Sequence, residues 1–254
     1  SATTALTMSL KAIGIKEGDR VAVSDFSWPA TCNVVEDLGA TPVFIDVDRS
    51  TFNMCPNDLV SKLADHKDNN NIAGVIVVDA FGNPSGIMKL KEICTAHDIP
   101  LIHDSACAIG SSVDDVKVGA IADLTCYSFH PRKLLTTGEG GAILTNNGKY
   151  AKWLTVKLAA GASGIKGRGL DFIDYGYNYR LSEIQALMGW IQLLKLDHIT
   201  AERNITASQY SSLLQPFGFT KQKTDDNVYH NIQSLVFTVP PGMSRDALID
   251  HLAS

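Results

Sequence analysis

Ser128 and Lys133 lie between two apolar runs, Leu124 to Tyr127 and Ala142 to Thr145, and the turn that follows them reads Gly138-Glu139-Gly140-Gly141. Short apolar runs bounded by glycine-rich turns read as strands. A buried strand would thus deliver a hydroxyl and an amine to a sheet edge, where α/β sheets bind their ligands. A lysine bonds an aldehyde as a Schiff base only as the free amine, and burial beside a second cation, here Arg132, is one way to favour that form. A solvated lysine on a turn is the plainer reading of Lys beside Arg, so the surrounding residues decide.

Upstream, Pro100-Leu101-Ile102-His103-Asp104 reads as an apolar strand ending on an acid, which puts Asp104 at the same edge as Lys133. Pyridoxal phosphate asks these two partners of a protein, an amine for its aldehyde and an acid that holds its ring nitrogen protonated. With Asp104, then Ser128-x-x-x-x-Lys133, then Gly138-x-Gly140-Gly141 in that order, the chain resembles the DegT/DnrJ/EryC1/StrS family. These are pyridoxal-phosphate-dependent sugar aminotransferases, which place an amino group on nucleotide-linked keto-sugars.

The resemblance implies an α/β fold of the aspartate-aminotransferase-like class, fold type I, with a mostly parallel sheet covered by helices and the start of a small C-terminal domain. It implies that Lys133 bonds the aldehyde and then moves the proton, and that Asp104 holds the ring nitrogen. Ala2 and Thr3 match the turn that cups the cofactor phosphate, Ser128 matches the phosphate-binding serine, and Trp28, rather than Phe26, matches the ring-stacking aromatic. Cys107 stands where the family has a glutamine on the ring hydroxyl, and a thiol is a weak donor. Asp79 stands where the family usually has His, and His103 where it has an acid, so neither receives a role; His130 is open between general base and packing. Gly176-x-Asn178-x-Arg180 matches a turn whose asparagine reaches the neighbouring subunit's cofactor phosphate, which implies a homodimer with shared sites. The amino donor is an amino acid, glutamate by analogy. Relatives that dehydrate sugars carry histidine in place of the lysine, so Lys133 argues against dehydration. A non-catalytic or regulatory relative, or an inactive fragment, stays open beside the transaminase reading.

The elements that position these residues are legible as periodicities. Helical spacing covers Thr3 to Ile13, Pro29 to Leu38, Asn57 to Leu63, Ile87 to His97 and Lys149 to Leu158; strands are expected at Val21 to Val23, Thr41 to Asp48 and Ala73 to Val78. Their alternation predicts a mostly parallel sheet. Gly161 to Gly169, with Lys166 and Arg168, reads as a loose basic loop. Ser182 and Gln185 form a capping box for a helix with Ile184, Leu187, Met188, Ile191 and Leu194 at core spacing. A long helix from Leu194 to Leu214 and a strand from Val228 to Val239 follow, dividing the chain into a large cofactor domain, 1–193, and the start of a small domain, 194–254.

The 254 residues are 45% hydrophobic and 19% charged, which suits a globular chain with a sizeable core. A net charge of −5 without a long Lys/Arg run disfavours nucleic acid as a partner. The five cysteines are scattered, without zinc or disulfide spacing, and no signal or membrane-spanning stretch is visible, which reads as cytoplasmic. The chain opens without methionine on Ser1-Ala2-Thr3 and stops within a helical pattern, so further sequence is expected at both ends. No G-x-G-x-x-G follows a strand and no P-loop is present, against a nicotinamide enzyme or a nucleotide hydrolase.

Overall fold

The computed structural model describes residues 1–64, 71–166 and 169–253. Six apolar segments pair into one sheet: β1 Arg20–Ser24, β2 Thr41–Ile45, β3 Ile72–Val78, β4 Leu101–Asp104, β5 Leu124–Ser128 and β6 Gly141–Leu144. Their spatial order is β2-β1-β3-β4-β5-β6, parallel throughout except for the antiparallel β6. The parallel register sets Val78 beside Asp104 and Asp104 beside Cys126, while Ser128 faces Gly141. Four parallel strands therefore end along one line at Ser24, Val78, Asp104 and Ser128.

Both sheet faces are covered, because strands buried on both sides must be apolar at successive positions. On one face Val21, Val23, Ile76, Ile102 and Leu124 pack with Leu6 and Leu10 of α1 (Ala2–Ala12), Val34 of α2 (Ala30–Glu36) and Leu154 of α5 (Gly148–Leu158). On the other, Ala22, Val75, Val77 and Leu101 pack with Leu59 of α3 (Pro56–Leu63) and Ile87, Leu90 and Ile93 of α4 (Ile87–Ala96). Local chemistry starts the helices: the Ser1 and Asn147 side chains accept first-turn amides of α1 and α5, and Pro56 opens α3. No helix among the described residues is long and apolar enough to cross a membrane.

Four expectations are corrected. The capping box at Ser182 and Gln185 forms and starts α6 (Glu183–Leu193), but Ile184, Leu187, Met188, Ile191 and Leu194 face solvent, and no residue of α6 is buried in this chain. The long helix begins at Leu196 rather than Leu194, as α7 (Leu196–Leu214). The strand expected over Val228 to Val239 reduces to Val228–Tyr229, paired with Ser112–Val113, and Phe237–Thr238, paired with Thr220–Lys221. Between them Ile232 has φ +53°, a left-handed turn that breaks the pleat, and Asn231 and Gln233 bond to other loops instead of a ladder. A last helix, α8, spans Arg245–Ala253. Of the basic loop, Gly167 and Arg168 lie outside the described residues, and the stretch on either side of them is not loose but pairs as antiparallel strands, Ala162–Lys166 with Gly169–Phe172.

His230, from this bent segment, is buried, with Nε2 on the carbonyl of Phe81 at 3.1 Å and Nδ1 without a hydrogen-bond partner among the described residues. Burial pushes the imidazole down to about 4, against the pull of the Phe81 carbonyl. The folded chain then takes up this proton later than the unfolded chain, so the stabilisation is complete above about pH 6.5 and is lost as pH falls toward 4. The loss reaches roughly 3 kcal/mol. His230→Gln is expected to flatten the stability profile over that interval by one proton, measured by urea unfolding between pH 4 and 7.

Candidate active site

A cleft of about 830 Å³ opens where the parallel strands end. Its floor carries Asp104, 6% exposed, at the last position of β4. Asp104 Oδ2 accepts the Thr31 hydroxyl at 2.8 Å, and Ser27 stands 2.6 Å behind Thr31, while Oδ1 accepts the Ala106 N–H at 3.2 Å. Burial pushes this carboxyl up; the hydrogen bonds from Thr31 and Ala106 and the charge of Lys133 pull the other way. None of the described residues forms a salt bridge with it. A buried carboxylate without a counter-ion is costly, and a cationic group entering the cleft would relieve that cost.

Lys133 projects from the turn after β5, half-buried, its Nζ donating to Cys107 Sγ at 3.0 Å. Arg132 does not share its burial: it is exposed at the rim of the cleft. The turn is closed by Lys133 N–H to the His130 carbonyl and Thr137 N–H to the Phe129 carbonyl, and is supported from α6 by Gln192 and Gln185. His130 Nδ1 accepts the Arg132 N–H at 3.2 Å, so its ring braces the same turn. Gly138 takes φ +81°, and a side chain at Gly141 would collide with the Ser1 backbone at 2.7 Å. The glycines thus let β6 lie against the start of α1, where Ala2, Thr3 and buried Ser128 line the cleft. First-turn amides of a helix are free to meet an anion.

Trp28 and Phe26 both line the cleft, 72% and 46% exposed, and Phe26 also lies within 6 Å of both Phe52 and Phe81 in a triangle of rings. Asn178 is not brought to this cleft. It lies beside Ala159 after α5, accepting from Arg180 Nε at 3.0 Å, in the segment that leads into α6.

Asp79, on the lining of the cleft, and the buried His103, each out of place against the family pattern, meet. His103 Nε2 donates to Asp79 Oδ1 at 2.6 Å, and Ser105 Oγ donates to Oδ2 at 2.8 Å, with both partners of the pair buried. Against the pattern the resemblance implies, the acid and the imidazole stand in each other's places, and in this chain they are in contact. Sequence reading missed Thr31, Ser105, Asn231 and Gln233; polar residues at helix starts and in bent segments carry no periodic signal that would have found them.

The donor set fits pyridoxal phosphate. Lys133 offers an amine to an aldehyde, Asp104 a buried carboxyl with no salt bridge among the described residues, and the α1 N-terminus with Ser128 a cradle for an anion on the same cleft.

The DegT/DnrJ/EryC1/StrS aminotransferase family model matches residues 1–254. The chain is 37% identical over 212 residues to the UDP-4-amino-4,6-dideoxy-N-acetyl-beta-L-altrosamine transaminase of Campylobacter jejuni, an alignment covering 83% of this chain and 55% of that protein. It is 30% identical over 260 residues to the GDP-perosamine synthase of Escherichia coli O157:H7, covering 99% and 67%. A DegT DnrJ EryC1 StrS aminotransferase from Brucella abortus superposes with a TM-score of 0.91 at 30% identity, over 99% of this chain and 66% of that one. A candidate sugar aminotransferase from Streptococcus pneumoniae, solved in a PLP form, gives 0.87 at 26% identity, over 100% and 69%. The chain spans 55% of the length of the first of these and about two thirds of the others. The architecture is the α/β fold of the fold-type I aminotransferases, whose members in this family use pyridoxal phosphate.

The exchanged pair makes a test of its own. His103→Leu leaves Asp79 buried with one partner fewer and is expected to cost about 3–5 kcal/mol. Restoring the contact in reverse, with Asp79→His and His103→Glu together, is expected to recover most of it. Urea unfolding of the single and double variants checks this, and a double variant no more stable than His103→Leu would refute exchangeability.

Proposed function

The chain belongs to the DegT/DnrJ/EryC1/StrS aminotransferase family, and from that premise we propose that it transfers an amino group to a nucleotide-linked keto-sugar, with pyridoxal phosphate as cofactor and glutamate as donor. The observation that carries the reading is the convergence of Lys133 and a buried Asp104, which forms no salt bridge with the described residues, on one cleft beside a helix N-terminus. The named substrates of the relatives support a nucleotide sugar as acceptor, and the cytoplasm is the compartment this reading assigns.

Bound pyridoxal phosphate supplies an aldehyde carbon for an amine and a ring that accepts an electron pair. Lys133 Nζ would be the amine that holds it and, when free, the base that moves a proton between the substrate carbon and the cofactor carbon. Asp104, oriented by Thr31 and the Ala106 N–H, keeps the ring nitrogen positive by a preorganised ion pair. The α1 amides at Ala2 and Thr3, with the Ser128 hydroxyl, hold the phosphate. Trp28 would stack on the ring and help to keep water from it, and Cys107 offers a weak donor near the lysine.

We further propose a homodimer whose partner covers α6. Ile184, Leu187, Trp190 and Leu194 are each at least 60% exposed here, on a helix with no buried residue, and an apolar surface of this kind calls for a partner. Asn178, in the segment entering α6 and away from its own cleft, is then the residue given to the partner's phosphate site.

Two measurements test these readings. Added pyridoxal phosphate is expected to give a visible absorbance band that borohydride fixes to Lys133, mapped by peptide mass; the band is lost in Lys133→Ala and depleted by glutamate. A label on another lysine would overturn the assignment. Leu187→Asp with Ile191→Asp is expected to give a monomer by sedimentation and to weaken pyridoxal phosphate binding about tenfold or more through loss of the partner's asparagine. A dimer of unchanged affinity would refute the shared site.

A further inference from the structure

The lysine turn leaves the sheet after Ser128 and rejoins it at Gly141, so the ladder does not hold it. Lys133 carries its amine on a flexible four-carbon stem, and its reach depends on where the backbone places its Cα. The peptide groups on either side of Lys133 are both taken by one side chain. Gln233 Oε1 accepts the Leu134 N–H at 2.8 Å, and Gln233 Nε2 donates to the Arg132 carbonyl at 3.0 Å. One amide so placed acts as a short substitute for a neighbouring strand.

Gln233 is itself fixed. Its N–H donates to Asn231 Oδ1 at 2.9 Å, and Arg203 of α7 donates to the Ile232 and Gln233 carbonyls at 2.7 and 3.0 Å. Asn231 also donates from Nδ2 to the carbonyls of Cys107 and Ile109, at 2.9 and 2.8 Å. The left-handed turn at Ile232 lets this segment serve both loops. Both ends of the 3.0 Å contact between Lys133 Nζ and Cys107 Sγ are therefore held from one bent segment anchored on α7.

We propose that Gln233 is a positioning residue for the Lys133 amine, clamping the peptide groups on both sides of it and, with Asn231 and Arg203, tying the lysine turn to α7. This rests on the reading of Lys133 as the aldehyde-binding amine. Loss of the clamp lets the turn drift, and displacements of about 1 Å at a reacting group cost rates of the order of a hundredfold.

The test uses the full chain with pyridoxal phosphate. In Gln233→Leu, which keeps the volume without the hydrogen bonds, the borohydride-fixable band at Lys133 is expected to form at least about tenfold more slowly, with its pH midpoint displaced from that of the wild type. Gln233→Glu keeps the acceptor for the Leu134 N–H and is expected to fall between the two, a graded rescue that a purely structural role would not produce. Amide exchange of the unmodified protein adds a measurement that needs no variant to fold: the Leu134 N–H is expected to be protected at least about tenfold over an open turn amide. A Leu134 amide that exchanges as freely as an open turn, or variants with wild-type band kinetics and pH midpoint, would overturn the proposal. Failure of the wild type itself to form a band at Lys133 would instead strike the reading of that lysine.

Discussion

Asp104 is a carboxyl group at the end of a central parallel strand, buried, braced by one hydroxyl and one N–H, with no salt bridge to any of the described residues. Burial of such a group is unfavourable unless something positive is to meet it. The rest of the site is arranged around that imbalance. The sheet register aligns the ends of β3, β4 and β5, so the lysine turn follows the neighbouring strand and its amine enters the same cleft. The start of α1 reaches that cleft because Gly141 lets the helix entry lie against β6 without a side chain between them. Amine, acid and anion cradle thus come from distant parts of the chain, assembled by one parallel sheet.

At the wall of the cleft two departures from the expected pattern meet. Against the pattern of the resembling family, Asp79 and His103 each look like a departure. Together they form a buried hydrogen-bonded pair in which acid and imidazole have traded strands, β4 supplying the imidazole and the end of β3 the acid. What such a position demands is a donor opposite an acceptor in a dry layer, and either arrangement meets it. Cys107 is a different kind of change. It replaces a strong hydrogen-bonding amide by a soft thiol, and its nearest polar neighbour is the lysine amine itself.

The segment after α7 ties that helix to the cleft. Gln222, Asn231 and Gln233 direct their side chains to carbonyls and amides of other loops, and His230 braces Phe81. These bonds explain why this stretch is not the strand its composition suggests. They also run from Arg203 on α7 to the lysine turn as a short series of hydrogen bonds.

By itself the sequence determined which segments are strands and helices over most of the chain, because apolar periodicity is local and survives without knowledge of neighbours. It also pointed to Lys133 and Asp104, since each closes or follows an apolar run and parallel strands of an α/β sheet present such residues at one edge. Only the tertiary structure decided that Thr31 braces Asp104, that Asp79 meets His103, that Gln233 flanks Lys133, and that the apolar face of α6 lies open instead of in the core. The physical reason is common to all four. A polar side chain can satisfy its hydrogen bonds with water, with its own turn or with a residue a hundred positions away, and an amphipathic helix reads the same whether its own chain or another molecule covers it; the choice belongs to the packing of the folded chain.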